Sequence, residues 1–463
     1  MGEHKRFGVV YMNSMQNLLS ISQCLSGHPV LNEGTAYKVK YLNIVEYFLR
    51  KYSISEPYPV SSFENAKLRF LGSEAHTYSF NEEGIKKAAK SVGGLRFKGF
   101  RVFTYRYALL FDCLFICAFN DEARGMQILS EFKEMVHHRY HAKLETFFHA
   151  LYHNGNLPQK ADFAAQFVSM WHKNMRHYYA RPKTILVSAA MSSGKSTVVN
   201  ALVGKKVSRT MSEACTAKLH YIVSKAFEDG MTSEFDHELV LDADITTLME
   251  DNENNQSDVI TVGTAFRFAD GISHKVQLID TPGVGSFWNK EHQDIAEKAL
   301  SFCDYHTIVC VLNGESLGTD FTNNHLCFLR DNHKDKPIIF LVNKTDGFNK
   351  SQDSIQASVA GAAADLEKIG FTEFSVYPIS ARAGFLAKQA IYGECLSDDD
   401  QEDLGSFVRK YRQDFFDCSK FYPQPDPIFL EQSMSSLSEQ QKKYMNVIIK
   451  SGLLGFESIL YRQ

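Results

Sequence analysis

The apolar run Thr184-Ile185-Leu186-Val187 leads directly into Ala189-Ala190-Met191-Ser192-Ser193-Gly194-Lys195-Ser196. A buried strand ending in a short loop of small residues has to be followed by a helix. Thr197-Val198-Val199-Asn200-Ala201-Leu202-Val203-Gly204 supplies one, closed by a glycine. From residue 183 onward strand-like and helix-like stretches alternate, which predicts a mostly parallel sheet with helices on both faces. The loop itself implies phosphate chemistry. Small residues let backbone N–H groups turn inward at a helix N-terminus whose dipole favours anions. Lys195 is expected to reach the β- and γ-phosphates and Ser196 to place its hydroxyl on Mg²⁺. Met191, Ser192, Ser193, Gly194 and Thr197 complete the expected phosphate cradle. The usual first glycine of such a loop is Ala189 here.

Three downstream motifs fall in the order a guanine-nucleotide site requires. In Val276-Gln277-Leu278-Ile279-Asp280-Thr281-Pro282-Gly283 an apolar strand delivers Asp280 toward the Mg²⁺ shell, and Gly283 can offer its N–H to a γ-phosphate. In Ile338-Ile339-Phe340-Leu341-Val342-Asn343-Lys344-Thr345-Asp346 a buried strand ends in a base reader. A carboxylate accepts two hydrogen bonds, and guanine offers N1–H and its exocyclic NH₂ side by side, a pair adenine lacks. Asp346 therefore argues for GTP over ATP, with Asn343 and Lys344 beside it. The third motif, Val376-Tyr377-Pro378-Ile379-Ser380-Ala381-Arg382, is a short strand whose end can back the base through Ser380, Ala381 and Arg382. Each motif sits at the C-terminal end of a strand, where open α/β sheets bind ligands.

A threonine that follows the phosphate-loop helix and responds to the γ-phosphate is still needed. Thr210 and Thr216 both lie in the right interval. Thr216 is chosen because it immediately precedes the strand-like Lys218-Leu219-His220-Tyr221-Ile222-Val223. It is expected to join Ser196 and Asp280 around Mg²⁺ and to hold the attacking water; an ordinary loop threonine is the alternative.

With Met-Ser-Ser-Gly-Lys-Ser-Thr at 191–197, Cys-Thr-Ala at 215–217, Asp-Thr-Pro-Gly-Val at 280–284, Asn-Lys-Thr-Asp at 343–346 and Ser-Ala-Arg at 380–382, the sequence resembles the bacterial branch of the dynamin superfamily. The resemblance covers roughly residues 181–463. It includes Ser451-Gly452-Leu453-Leu454-Gly455-Phe456-Glu457-Ser458-Ile459-Leu460, similar to the opening of the last helix of that family's GTPase domain. Eukaryotic members carry a water-orienting glutamine at the position of Met191, whose thioether cannot do that job; bacterial members often have apolar residues there. The resemblance implies hydrolysis carried by Lys195, Mg²⁺ and loop amides, since phosphoryl transfer is mostly positioning and charge stabilisation. It also implies pairing of GTPase domains across the nucleotide and a monovalent cation at the phosphate loop.

The chain has 463 residues, enough for two or three domains, with 44% hydrophobic and 22% charged residues as in ordinary globular proteins. Its 50 basic and 54 acidic residues give −4. Residues 1–180 hold 22 Lys/Arg against 15 Asp/Glu, about +7, and the remainder 28 against 39, about −11. A positive, histidine-rich front half can face anionic lipid, nucleic acid or an acidic partner, although no run of basic residues exceeds a pair. Nine cysteines without regular spacing fit a reducing cytoplasm better than a disulfide framework. Met1-Gly2-Glu3-His4-Lys5-Arg6 has neither the apolar stretch of a signal peptide nor a Ser or Thr at position 6 for myristoylation. Tyr107 to Phe119, the most apolar run, is too short to span a bilayer and carries Asp112, so any membrane contact is expected to be peripheral.

Residues 1–180 read as a mainly α-helical N-terminal region and 181–463 as the GTPase domain, with 385–447 an insertion before the terminal helix. Helices are expected over Lys38–Tyr52, Phe103–Phe119 (inside a bundle), Asp121–Tyr152 as one long helix, and Pro158–Tyr179. Ser53–Phe80 reads as aromatic and loop-like, Asp251–Asp258 as an exposed loop, and the acidic run Ser397–Asp403 as a solvated helix start. His137, His141, Glu145 and His149 recur every four residues, which would stack them on one helix face. A straight row cannot close a tetrahedral metal shell unaided, so a solvated or partner-facing helix is expected. Trp171, His172, Arg176, His177, Tyr178 and Tyr179 can stack on bases; a hinge helix packing on the GTPase domain is the preferred reading.

These features predict a cytoplasmic GTPase that binds and hydrolyses GTP, coupled through self-association to membrane remodelling. The rivals are a GTP-dependent switch or scaffold acting through a protein partner, and an RNA- or ribosome-associated GTPase; the missing aromatic-basic signature of common RNA modules counts against the second. Family members continue into a helical stalk with a lipid-binding tip, so the resemblance implies a second dynamin-like chain as a partner. The N-terminal helices are the lever this chain can offer, and residues 121–180 are expected to pack beside the terminal helix 453–462.

Overall fold

The computed structural model describes residues 28–93, 101–153, 162–189, 192–208, 218–235, 238–241, 243, 248, 259–267, 275–281, 303–315, 320–332, 336–424, 430–431 and 434–462. The N-terminal part is a helical assembly of α1 (Thr35–Tyr52), α2 (Pro57–Leu71), α3 (Ile85–Gly93), α4 (Arg101–Ala118), α5 (Glu122–Met135), α6 (His141–Tyr152) and α7 (Asp162–Tyr179). Residues 105–119 of α4 and its end are buried on all sides. A helix apolar all round belongs inside a bundle, and its rings mesh accordingly. Phe111 stacks on Phe115 at 5.2 Å, and Phe115 and Phe119 meet Trp171 of α7 at 5.8 and 5.0 Å. Asp112, the charge interrupting that run, accepts from Tyr41 Oη at 2.8 Å and from His28 Nε2 at 3.3 Å.

Two expectations for this part are corrected. The stretch after Ser53 is largely helical: Pro57 occupies the first turn of α2, and Phe63, Ala66 and Phe70 form its buried stripe. Its aromatic content obscured a helical period that was present in the sequence. Residues 121–152 are not one helix. The Asp121 carboxylate caps α5 at Arg124 N, but Val136 turns extended (φ −118°, ψ 154°) and ends it before a 3₁₀ turn at His138–Tyr140. His137 therefore lies off the helix bearing Glu145 and His149. His141 Nε2 bonds back to the Lys133 carbonyl at 2.7 Å, and Glu145 pairs with Lys133. Three members of the expected row, His141, Glu145 and His149, share α6 and only His137 does not; among the described residues no metal-binding cluster of His, Cys, Asp or Glu is found.

The C-terminal part is built on a nine-stranded sheet ordered β4-β3-β5-β2-β6-β1-β7-β8-β9. The strands are β1 (Lys183–Ala189), β2 (Leu219–Ser224), β3 (Thr232–Phe235), β4 (Glu238–Leu241), β5 (Val259–Thr264), β6 (Val276–Asp280), β7 (Thr307–Asn313), β8 (Ile338–Asn343) and β9 (Phe374–Pro378). β6, β1, β7, β8 and β9 run parallel, and β2 joins β6 antiparallel. The helices are α8 (Lys195–Val203), α9 (Asp320–Asn332), α10 (Ile355–Ile369), α11 (Ala381–Ile391), α12 (Asp398–Lys410), α13 (Glu439–Lys450) and α14 (Leu453–Arg462). Alternation along β1 shows the layering. Ile185 and Val187 pack with α8, α11, α13 and α14, while Leu186 packs on the other face with Leu329 of α9 and Leu366 of α10. Residues of the segment expected to be an insertion, among them Leu404 and Phe407 of α12 and Tyr411 just after it, belong to the first of these two cores.

The helical part meets the sheet at the loop after β2. His177 Nε2 donates to the Ser224 carbonyl at 2.5 Å, Lys173 lies 4.4 Å from the centre of the Phe227 ring, and Arg69 donates to the Asp229 carbonyl at 2.6 Å. The C-terminal end of α7 thus packs on the sheet, and Trp171, fully buried, has no face for a base. The expected packing of 121–180 beside 453–462 is also corrected: α14 packs on α8 and α13, and its Glu457 pairs with Lys388 of α11. No described helix is long and apolar enough to cross a membrane.

Candidate functional site

The site grows out of the C-terminal ends of β1, β6 and β8. After β1 the chain turns through Ser192 and Gly194, both with positive φ (64° and 87°), and enters α8 at Lys195. Gly194 is required here: a Cβ would run into Asn343 Nδ2, and its φ is one that L side chains rarely adopt. No side chain caps α8, so its first-turn amides and dipole address the loop's interior. Ser193 is buried, Ser196 and Thr197 are half-buried, and Ser192 is exposed. Met191 lies outside the described residues.

Lys195, 7% exposed, forms an ion pair with Asp280, which is fully buried at the end of β6. The β1–β6 register sets Asp280 opposite Val187, just short of the loop. Two buried neighbours that sequence reasoning missed order this corner. Ser208 donates to Asp280 Oδ2 at 3.0 Å, and Asn200 Oδ1 accepts from the Val207 and Ser208 amides, both at 2.8 Å. Asn200 Nδ2 closes the ring on the Ser208 carbonyl at 2.7 Å. A signal was available: Asn200 is a polar residue in an otherwise apolar helical stretch, one turn after Ser196. Thr281 donates to the Val187 carbonyl at 3.0 Å. Thr210, Thr216 and Gly283 lie outside the described residues, although β2, which Thr216 precedes, is in register with this corner through His220 and Asp280.

The residues expected to read the base converge from the ends of β8 and β9. Asn343, 3% exposed, donates from Nδ2 to the Ser193 carbonyl at 3.0 Å and accepts at Oδ1 from the Ala381 amide at 3.1 Å. One side chain thereby joins the phosphate loop to the segment after β9. Lys344 is left-handed (φ 67°) and turns the chain so that Asp346 Oδ1 accepts from Ser380 Oγ at 2.5 Å. Lys344 Nζ lies 3.8 Å from Glu315 Oε2. The Arg382 guanidinium points away from this group to Asp403 (2.6 Å) and Asp400 (3.1 Å) of α12. Behind β1, His325 of α9 contacts Ser188 Oγ at 3.2 Å, and burial pushes its imidazole down to about 4.

The family model described as "Dynamin family" matches residues 185–345. No curated protein matches the chain. Among solved structures, the chain is similar to an oligomerised bacterial dynamin pair described as sensing and tethering membranes, at 11% identity over 91% of this chain and 70% of that one, TM-score 0.37. It is also similar to Toc33 of Arabidopsis thaliana in complex with GDP and Mg²⁺, at 13% identity over 43% of this chain and 71% of that one, TM-score 0.29. A third is Era of Aquifex aeolicus bound to GDP and aluminium fluoride, at 17% identity over 53% of this chain and 58% of that one, TM-score 0.25.

Proposed function

We propose that this chain, whose residues 185–345 match the dynamin family model, binds and hydrolyses GTP, and that its turnover is coupled to self-association and to remodelling of a membrane met peripherally. The observation that best supports the nucleotide assignment is Asn343, whose two hydrogen bonds bring the phosphate loop and the Ser380–Arg382 segment to one corner. In this reading residues 181–463 form the GTPase domain and 1–180 a helical domain.

Lys195 exchanges Asp280 for the β- and γ-phosphates, supported by Ser192, Ser193, Gly194 and the amides of Ser196 and Thr197. Asp346 takes the N1–H and NH₂ of guanine, with Ser380 holding its other side and the Ala381 amide backing the base. Ser196 hydroxyl and Asp280 carboxylate are hard oxygen donors that fit Mg²⁺, and Thr216 is the third residue assigned to it. Bound Mg²⁺ supplies charge neutralisation on the phosphates. Thr216 and the Gly283 amide hold the γ-phosphate side and the attacking water; Arg382, committed to α12, contributes through its backbone.

Coupling to the rest of the chain has a candidate route. β2 follows the Thr216 segment, pairs with β6 at Asp280, and ends in the loop gripped by His177, Lys173 and Arg69. The N-terminal helices are therefore the proposed lever, and a second dynamin-like chain is the proposed partner.

GTP turnover of the purified chain, measured against protein concentration and with anionic liposomes or RNA, tests this. The reading expects turnover per chain to rise with concentration and with liposomes. Turnover indifferent to both would favour a switch acting through a protein partner, and stimulation by RNA alone would favour the RNA-associated rival.

A further inference from the structure

α12 spans the base-reading corner and is tied to it at both ends. At its N-terminal end, Asp400 and Asp403 receive the Arg382 guanidinium, whose backbone adjoins Ala381. Asp400 also lies 3.7 Å from Lys206 Nζ, on the segment that follows α8. Ten residues later, about 15 Å along the helix, Lys410 Nζ donates to the main-chain carbonyl of Asp346 at 3.0 Å. Lys410 is half-buried and its ammonium stands 5.7 Å from the centre of the Phe416 ring, so its direction is fixed by an aromatic face as well as by the carbonyl. The same loop is held at Thr345, whose Oγ1 lies 3.4 Å from Cys418 Sγ.

We propose that Lys410 is a positioning residue for guanine specificity, holding the Asp346 peptide so that its carboxylate meets the two donors on the base. This rests on the assignment of Asp346 as the guanine reader. Bidentate recognition requires both carboxylate oxygens to lie in the plane of the base, and a carboxylate on a 3₁₀ turn of three residues is set by the peptide carrying it. Ser380 orients the side chain and Lys410 fixes the main chain. Both are required for a two-point contact, whereas phosphate binding involves neither.

The test compares GDP with IDP, which has the same phosphates and ribose but lacks the exocyclic NH₂. Titration calorimetry on the full-length chain gives the ratio of the two affinities, from which phosphate contributions cancel. A charge-assisted hydrogen bond to the NH₂ is expected to favour GDP by about tenfold or more in the unmodified protein. In Lys410→Ala the ratio is expected to fall severalfold, mainly through weaker GDP binding, and Lys410→Arg, which keeps a donor within reach, is expected to restore it. Circular dichroism melts of both variants confirm folding, and equal losses of GDP and IDP affinity would identify a merely structural role and overturn the proposal. Asp346→Asn separates the two claims. If it abolishes the GDP preference while Lys410→Ala keeps it, the base reader stands and Lys410 does not position it. If Asp346→Asn keeps the preference, the base is read elsewhere and the proposal falls with that assignment.

Discussion

Lys388 and Glu457 form an ion pair in the interior, with side chains 4% and 3% exposed, and Lys388 Nζ also donates to the Ala201 carbonyl at 2.8 Å. One ammonium thus joins α11, the helix after the base-backing segment, to the phosphate-loop helix α8 and to the terminal helix α14. Burial lowers the lysine's pKa and Glu457 opposes the shift. Glu457→Ala leaves that charge buried with one neutral partner, and a cost of about 3–5 kcal/mol is expected. Paired replacement by Lys388→Met and Glu457→Leu should recover most of it. Urea unfolding of the two variants and the unmodified protein checks this; a loss under 1 kcal/mol in Glu457→Ala would show the pair to be water-exposed in solution.

Lys195→Met should have two separable consequences. It removes the point charge for the phosphates, so GTP affinity should drop by about a hundredfold or more. It also strands Asp280, fully buried, which should lower stability by a few kcal/mol, on the order of other broken buried pairs. Adding Asp280→Asn should restore stability but not binding. Near-normal GTP affinity in Lys195→Met would remove the phosphate-loop assignment.

Thr216→Ala should slow GTP hydrolysis at least tenfold, the scale of a lost transition-state contact, and leave GDP affinity largely intact. Thr210→Ala should do neither. Single-turnover kinetics with both variants decides between them, and the reverse pattern would move the switch threonine to residue 210.

Acid should destabilise the sheet through His325. Its ordinary value of 6.5 is lowered to about 4 in the fold, because burial disfavours the imidazolium. Between those values the unfolded chain binds a proton that the folded chain does not, so stability falls as pH drops through 6.5 and continues to fall until about 4. The total is roughly 3 kcal/mol for this one group. His325→Gln, which can still bond Ser188 and cannot titrate, should flatten that part of the unfolding-versus-pH curve. An unchanged slope would mean the imidazole is hydrated.

The sheet and the meeting of the motif residues at one corner were legible because their signals are local. An apolar strand, a small-residue loop and a helix are contiguous at 183–204, and Asp280, Asn343 and Ser380 each follow a strand with their neighbours in order. Where signals were mixed, the reading failed. Aromatic residues masked the helical period of α2, and nothing in the composition of 121–152 announced the extended backbone at Val136.

What the sequence determined alone was chemistry at fixed offsets: which side chains follow which strands, and hence the expectation of a guanine nucleotide as ligand. Tertiary structure decided what depends on residues far apart in the chain. Asn343 reaches Ser193 across 150 positions, Lys388 reaches Ala201 across 187, and Arg69 reaches Asp229 across 160. No periodicity or spacing encodes such pairs, because in each the acceptor is a main-chain carbonyl, which no residue type marks. Only the packing of strands and helices, which removes polar groups from water and so favours pairing them, selects which one each meets.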